Sequence, residues 1–475
     1  MPRQRHGTVP LLTLDPELPT PLYRQLTDSL REAILSGRLA GGARLPSTRS
    51  LADDLRLSRS TVVAAFEQLT TEGYLESRVG SGTTVSVGLA RTESDLPTDA
   101  PATSEADQDE SSYILRPGIP ALDEFASTAF GRILRRVFRQ IGSEVPATGA
   151  ASGDLHLSRA VARHLRGSRG VRCSEEQVVI TSGSQEGLCL AFELIGDRGD
   201  DLWVENPGYF GATDAASVVG LRPRSVPVDT DGLVVPAGLR RWPNACGAYV
   251  TPSHQFPTGS LLSARRRAEL LDWAHHQDAY VVEDDYDSEF HLEGRALPAL
   301  QGMGHDDRVV YVGTFSKSLA PALRLGFVVL PSHLRDRAVR IKAARSGPQP
   351  VWLQRAAAIF IEEGHFARHV RRTRALYRAR RDVLVDAVSE VLGDRATVRT
   401  PTGSMHALLD LRGDVDGSDL GARLAARGVG AVPLVRFGVP PDGITDAGLL
   451  IGFGGYDAAQ IRTGVEAMAS AWKPG

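Results

Sequence analysis

Apolar side chains at Leu22, Leu26, Leu30 and Ile34 recur at four-residue spacing and predict an amphipathic helix closed by the glycines of "SGRLAGG". A second helix is predicted after "LPS", with Ser47 as N-cap and Leu51, Ala52 and Leu55 as its apolar side. Following a short turn at Arg56 and Leu57, Ser58 caps a third, whose Val62, Phe66 and Leu69 face inward. Arg59, Ser60 and Thr61 then stand outward near its N-terminus. "YLESRVGSGTTVSV" alternates on both sides of Gly80-Ser81-Gly82 and predicts a β-hairpin. From Val178 onward the pattern changes: "QVVITSGSQEGLCLAFELI", "ACGAYVTPSH", "AYVVEDDYDSEF" and "RVVYVGTFSKSL" set short apolar runs among helical stretches. Such alternation predicts an α/β domain with a parallel or mixed sheet, whose ligands gather at the carboxyl ends of the strands.

Between the two patterns, "GLARTESDLPTDAPATSEADQDESS" carries seven acidic residues against one arginine and almost nothing apolar. It cannot bury enough surface to order itself, so residues 88–112 are expected to form a flexible acidic linker between a small domain at 1–87 and a large one at 113–475. The net charge of −3 gives no bulk attraction to a polyanion, and residues 1–88 carry ten arginines against nine acidic side chains. Any nucleic-acid site must therefore be local. No apolar run reaches the ~18 residues of a membrane span, and the start "MPRQRHGTVPLLTL" lacks the apolar core and cleavage site of a secretion signal. A cytoplasmic protein with no membrane partner is expected. Cys173, Cys189 and Cys246 are odd in number and widely spaced, which indicates buried thiols and neither a disulfide framework nor a metal site.

Fifty-one of the 54 basic side chains are arginine; the three lysines are Lys317, Lys342 and Lys473. Unlike a guanidinium, a lysine amine can lose its proton and condense with an aldehyde. Lys317 follows the strand-like "VVYVGTFS". Upstream, "TSGSQEGL" places Ser184 at a helix N-terminus, a seat for phosphate, and Asp284 and Tyr286 lie two apart at a strand end. Phosphate seat, Asp with Tyr, then Lys is the set pyridoxal phosphate requires: the carboxylate keeps the ring nitrogen protonated, the phenol bonds the ring hydroxyl, and the lysine holds the aldehyde.

"LPSTRSLADDLRLSRSTVVAAFEQLTTEGYL" closely resembles the winged helix-turn-helix of GntR-type bacterial regulators. The resemblance implies that Arg49, Ser58, Arg59, Thr61 and the wing at Gly80 and Gly82 contact double-stranded DNA. From about residue 113 the chain resembles a fold-type I aminotransferase domain. "TPSHQFPTG", "EDDYDSEF" and "GTFSKSLAPALR", joined to such a reader, resemble the MocR/GabR subgroup of transcription regulators. By that resemblance Lys317 forms the internal aldimine of pyridoxal 5'-phosphate, Asp284 pairs with the pyridine nitrogen and Tyr286 reaches the ring oxygen. Ser184, Gln185, Ser316 and Arg324 surround the phosphate; Tyr209 stacks on the ring with His254 beside it; and Arg436 binds an effector carboxylate. A homodimer on an operator with paired half-sites is implied.

The chain departs from the family at three points. Phe256 stands where aminotransferases place the Asn of "NPTG", the region "PATGAASGDLHLSRAVARHL" lacks the tyrosine offered to a neighbouring subunit's phosphate, and Gly211 replaces the arginine that follows the stacking tyrosine in the γ-aminobutyrate sensor. Two functions compete. One is a regulator that senses pyridoxal phosphate or an amino compound and controls genes of vitamin B6 or amino-compound metabolism. The other is an active aminotransferase with an appended DNA module. The altered Asn and the absent tyrosine, both groups that tune turnover, favour the regulator, with transaminase activity residual or vestigial.

Overall fold

A computed structural model describes residues 14–16, 18–78, 82–87, 113–125, 127–141, 149–293, 297–304, 306–399, 403–413, 415–439 and 448–472. The chain divides into two compact units, Met1–Gln108 and Asp109–Gly475. The acidic stretch 88–112 lies outside the described residues.

The first unit contains α1 (Leu22–Leu35), α2 (Thr48–Leu55), α3 (Arg59–Thr71), β1 (Leu75–Arg78) and β2 (Gly82–Val85). Both predicted caps form, Ser47 Oγ accepting from the Ser50 amide and Ser58 Oγ from the Thr61 amide, each at 3.1 Å. Arg56 ends α2 in the left-handed region at φ 55°, so the chain turns sharply into α3. Leu26, Leu30, Ile34, Leu51, Val62, Phe66 and Leu69 close on one core, with Leu75 and Val85 sealing it from the hairpin. The strands pair antiparallel from Leu75 opposite Val85 to Arg78 opposite Gly82.

The second unit is built on a mixed eight-stranded sheet of β3 (Val178–Thr181), β4 (Asp201–Asn206), β5 (Arg222–Asp229), β6 (Gly232–Leu233), β7 (Gly247–Val250), β8 (Tyr280–Asp285), β9 (Val309–Thr314) and β10 (Gly326–Val329), in the order 3-10-9-8-7-4-5-6. Strands β5, β4, β7, β8 and β9 run parallel, while β10 opposes both β9 and β3. The carboxyl ends of β3, β4, β7, β8 and β9 therefore share one edge with the start of β10. Valine-rich β8 and β9 are buried on both faces, as a helix-covered parallel sheet requires. A second sheet comprises β11 (Ala396–Arg399), β12 (His406–Leu411), β13 (Val432–Pro433) and β14 (Leu449–Gly452), in the order 11-12-14-13.

Of the three cysteines, only Cys173 is buried; Cys189 and Cys246 are half-buried. Cys189 lies on the helix Ser184–Ile195 and Cys246 just before β7, positions that leave each residue partly accessible, which corrects the expectation of three buried thiols. No described helix is long and apolar enough to cross a membrane.

Candidate functional site

In the first unit, Arg49 and Arg59 are exposed at the N-terminal turns of α2 and α3. Ser58 is committed as a cap, and its hydroxyl also meets Ser60 Oγ at 2.8 Å and Thr61 Oγ1 at 2.7 Å. These hydroxyls set the helix start; Arg49 and Arg59 carry the outward charge. Gly82, at φ +87°, begins β2 with Arg44 over it: a Cβ there would meet the Arg44 guanidinium at 3.0 Å. Exposed Arg44 bridges to Thr84 and joins the wing, a placement sequence spacing did not indicate. Gly80 lies outside the described residues.

In the second unit, a cavity of about 730 Å³ opens at the shared strand edge. Ser184, Gln185, Tyr209, Asp284, Tyr286, Ser316, Lys317, Arg324 and Arg436 all line it. Each reaches it by position: Ser184 starts a helix after β3, Tyr209 follows β4, Asp284 is the penultimate residue of β8, Lys317 follows β9 and Arg324 precedes β10.

Strand alternation sorts the acidic run. Glu283 accepts from the Leu300 and Gln301 amides, and Asp285 is held by Arg169 at 2.8 Å and by the Tyr311 hydroxyl at 2.5 Å. Both brace the sheet. Asp284 faces the cavity, where Oδ2 accepts from the Tyr249 hydroxyl at 2.9 Å. Its Oδ1 is buried and has no hydrogen-bond partner among the described residues. Burial pushes this carboxyl up to about 7 against the Tyr249 hydrogen bond, with Asp285 and Asp287 adding to the rise.

Lys317 Nζ donates to the Gly118 carbonyl at 2.6 Å. Burial lowers its pKa, with Arg116 adding to the fall while Asp287 and Asp284 oppose it; an amine so placed sheds its proton more readily. Lys342 is different. Buried, it donates to Gly347 O at 2.7 Å and pairs with Glu186 at 3.3 Å, which is a structural pin.

At the opposite end, Gly183 caps the helix Ser184–Ile195 at φ +131°, and the Arg324 guanidinium lies 4.0 Å from where its Cβ would be. Ser316 hydrogen-bonds Thr314 Oγ1. Gln185 spends its side chain on Gly211 O at 2.8 Å, so only its backbone serves the helix terminus. Free helix amides, two hydroxyls and a guanidinium suit a phosphate.

Phe256 is the centre of an aromatic wall, its ring 5.9 Å from Tyr209, 5.5 Å from His406 and 5.2 Å from Phe437. Tyr209 folds over Gly211, where a Cβ would come within 2.4 Å of its ring. Tyr286 donates its hydroxyl to the His254 carbonyl at 3.1 Å. The His254 side chain is not brought into the cavity. Its Nδ1 pairs with Asp287 at 2.7 Å and its ring stacks on His291, turned away among buried groups. The expectation of His254 beside the Tyr209 ring is corrected: the histidine that lines the cavity is His406, which is buried against Phe256 and Tyr286, with burial lowering its pKa to about 4.

Raising the Asp284 pKa from its ordinary 3.8 to about 7 makes an expected result with a definite sign. In the cofactor-free chain, the folded state keeps a proton that the unfolded state loses, so stability present below pH ~4 is lost as pH rises through ~7. Asp284→Asn is expected to remove this fall, worth on the order of a few kcal/mol. Urea unfolding of both proteins at pH 5 and 8 checks it; an unchanged difference between them would contradict the assignment.

A capped helix-turn-helix with an arginine front and wing, and a mixed sheet gathering lysine, aspartate and a phosphate-shaped helix terminus, define a GntR-type reader joined to an aminotransferase-type domain. Residues 22–85 match the model of bacterial regulatory proteins of the gntR family, and residues 128–466 match aminotransferase class I and II. The chain is 36% identical to the probable rhizopine catabolism regulatory protein MocR of Rhizobium meliloti over 97% of this chain and 96% of that one. It is 33% identical to the pyridoxine biosynthesis transcriptional regulator PdxR of Corynebacterium glutamicum, over 95% and 96%. Among solved structures it is similar to LysN, the α-aminoadipate aminotransferase of Thermus thermophilus complexed with N-(5'-phosphopyridoxyl)-L-leucine. That match has a TM-score of 0.68 at 26% identity, covering 76% of this chain and 92% of LysN. The chain belongs to the MocR-type transcriptional regulators of the GntR family.

Proposed function

We propose that this chain is a transcriptional regulator that binds pyridoxal phosphate in its large domain, dimerises, and changes its hold on an operator of paired half-sites when the contents of that cavity change. The observation that carries the cofactor reading is the buried, unpartnered Asp284 Oδ1 aimed into a cavity that also holds Lys317 and the Gly183–Ser184 helix terminus. The phosphopyridoxyl ligand of LysN supports it. When bound, pyridoxal phosphate supplies an aldehyde and an electron-accepting ring. Asp284 accepts the ring N–H, and Tyr249 orients that carboxylate. Lys317 offers its amine, Ser184, Ser316 and Arg324 hold the phosphate, and Tyr209 covers the ring.

The strap 113–118, which follows residues 88–112 in sequence, is pinned within the large domain beside the cavity. Its Ile114 and Leu115 are bonded to Gly428, Gly430 and Gly452, and Gly118 at its end accepts from Lys317. If pyridoxal phosphate is bound, a Lys317 amine given to its aldehyde would no longer be available to donate to the Gly118 carbonyl. A ligand shifts the reader only by its differential affinity for the two arrangements. Pyridoxal phosphate itself and an amino compound are both candidate effectors; Arg436 in the cavity lining favours the second. The test is an absorption spectrum of the purified protein combined with a genomic binding footprint. A visible cofactor band and footprints with paired half-sites are expected, and a colourless protein after incubation with pyridoxal phosphate would defeat the reading.

A further inference from the structure

Among the described residues, three arginines line the cavity: Arg116, Arg324 and Arg436. Arg324 belongs to the phosphate end. Arg116 is assigned nothing by the sequence patterns, yet it is near enough to Lys317 for its charge to act on that amine. Its backbone is held in place. Its amide donates to the Tyr456 hydroxyl at 3.0 Å, and glycines let the strap lie flat on the second sheet: a Cβ at Gly452 would fall 2.1 Å from the Arg116 carbonyl, and one at Gly430 2.9 Å from its Cβ. Arg436, on the other side, is exposed, and Phe437 beside it stacks on Phe210 at 6.3 Å and meets Phe256 edge-on. Arg116 and Arg436 thus line one cavity with an apolar wall, and Asp284 is its one acidic lining residue among the described residues.

We propose that Arg116 is a specificity-determining residue which, with Arg436, binds the carboxylate of an amino-acid effector whose apolar side chain rests on the Phe256–Phe437 wall. This rests on the reading of an amino-compound effector given above. The amine of such a ligand lies toward Lys317, its carboxylate between the two arginines, and its side chain against aromatic faces that desolvate it. A second carboxylate on the ligand meets no further cation at the wall. Phe256, at the place of an asparagine in aminotransferases, exchanges a polar contact for apolar area and sets the preference for such side chains.

The experiment uses the full-length, cofactor-loaded protein and calorimetric titration with L-phenylalanine, phenethylamine, L-leucine, 3-methylbutylamine and L-aspartate. Each apolar amino acid is expected to bind about tenfold to a hundredfold more tightly than the amine lacking its carboxylate, a ratio typical of a charge-assisted hydrogen bond. L-Aspartate is expected to bind more weakly than L-phenylalanine. Arg116→Gln is expected to bring the acid-to-amine ratio close to one while borohydride still fixes pyridoxal phosphate to Lys317, and Arg116→Lys, which retains the charge, to restore most of it. If amines and acids bind the wild type equally, or Arg116→Gln leaves the ratio intact, the role of Arg116 is overturned while the effector reading stands. If none of the five binds, the amino-compound reading itself falls, and this proposal with it.

Discussion

Replacing Lys317 with alanine is expected to abolish borohydride-stable attachment of pyridoxal phosphate and the visible band that accompanies it, while the protein stays folded. Among the described residues the side chain contributes one hydrogen bond, to Gly118 O, and lines a cavity rather than filling a core, so its removal leaves the packing of β9 untouched. Lys342 is no substitute. It is held by Glu186 and Gly347 and does not line the cavity. Mass spectrometry after reduction, with circular dichroism for the fold, checks the result; a labelled peptide elsewhere in the variant would contradict it.

The second large effect is on DNA. Arg59→Ala is expected to weaken binding to the specific operator by about 1–3 kcal/mol if the side chain reads a base, about ten- to a hundredfold, with little change on random DNA. Its exposure on the first turn of α3, whose start Ser58 fixes, puts it at the front of the reader. If Arg49, exposed on the first turn of α2, meets only a phosphate, Arg49→Ala should weaken all sequences alike and reduce the salt slope by about one. Binding isotherms at several salt concentrations separate the two. Equal losses on specific and random DNA for Arg59→Ala would remove it from base reading.

The reader was legible because its signals are local. Caps at Ser47 and Ser58 act within three residues, and Leu26, Leu30 and Ile34 share a face by helical period alone. The residues that meet at the cavity were legible because valine runs announce β8 and β9 and the polar residues after them fall at one sheet edge. What escaped notice depends on contacts between distant segments. Tyr249 supports Asp284 across neighbouring strands, His406 enters from the second sheet, and Arg116 arrives on a strap pinned by Tyr456, 340 residues away. No periodicity marks such meetings. His254 was misplaced for the same reason: its partner is Asp287, which only the fold brings to it. The strands of the second sheet are short and widely separated, β13 having two residues, so their pattern was too brief to read.

The central claim is that the cavity's contents govern the reader. Its most direct measurement is operator affinity, by fluorescence anisotropy on a footprinted DNA fragment, as pyridoxal phosphate is titrated into cofactor-free protein, with L-phenylalanine added afterwards. Affinity is expected to change on at least one of these additions, and Lys317→Ala no longer to respond to pyridoxal phosphate while still binding DNA. Operator affinity that is the same for cofactor-free, loaded and L-phenylalanine-treated wild-type protein would contradict it.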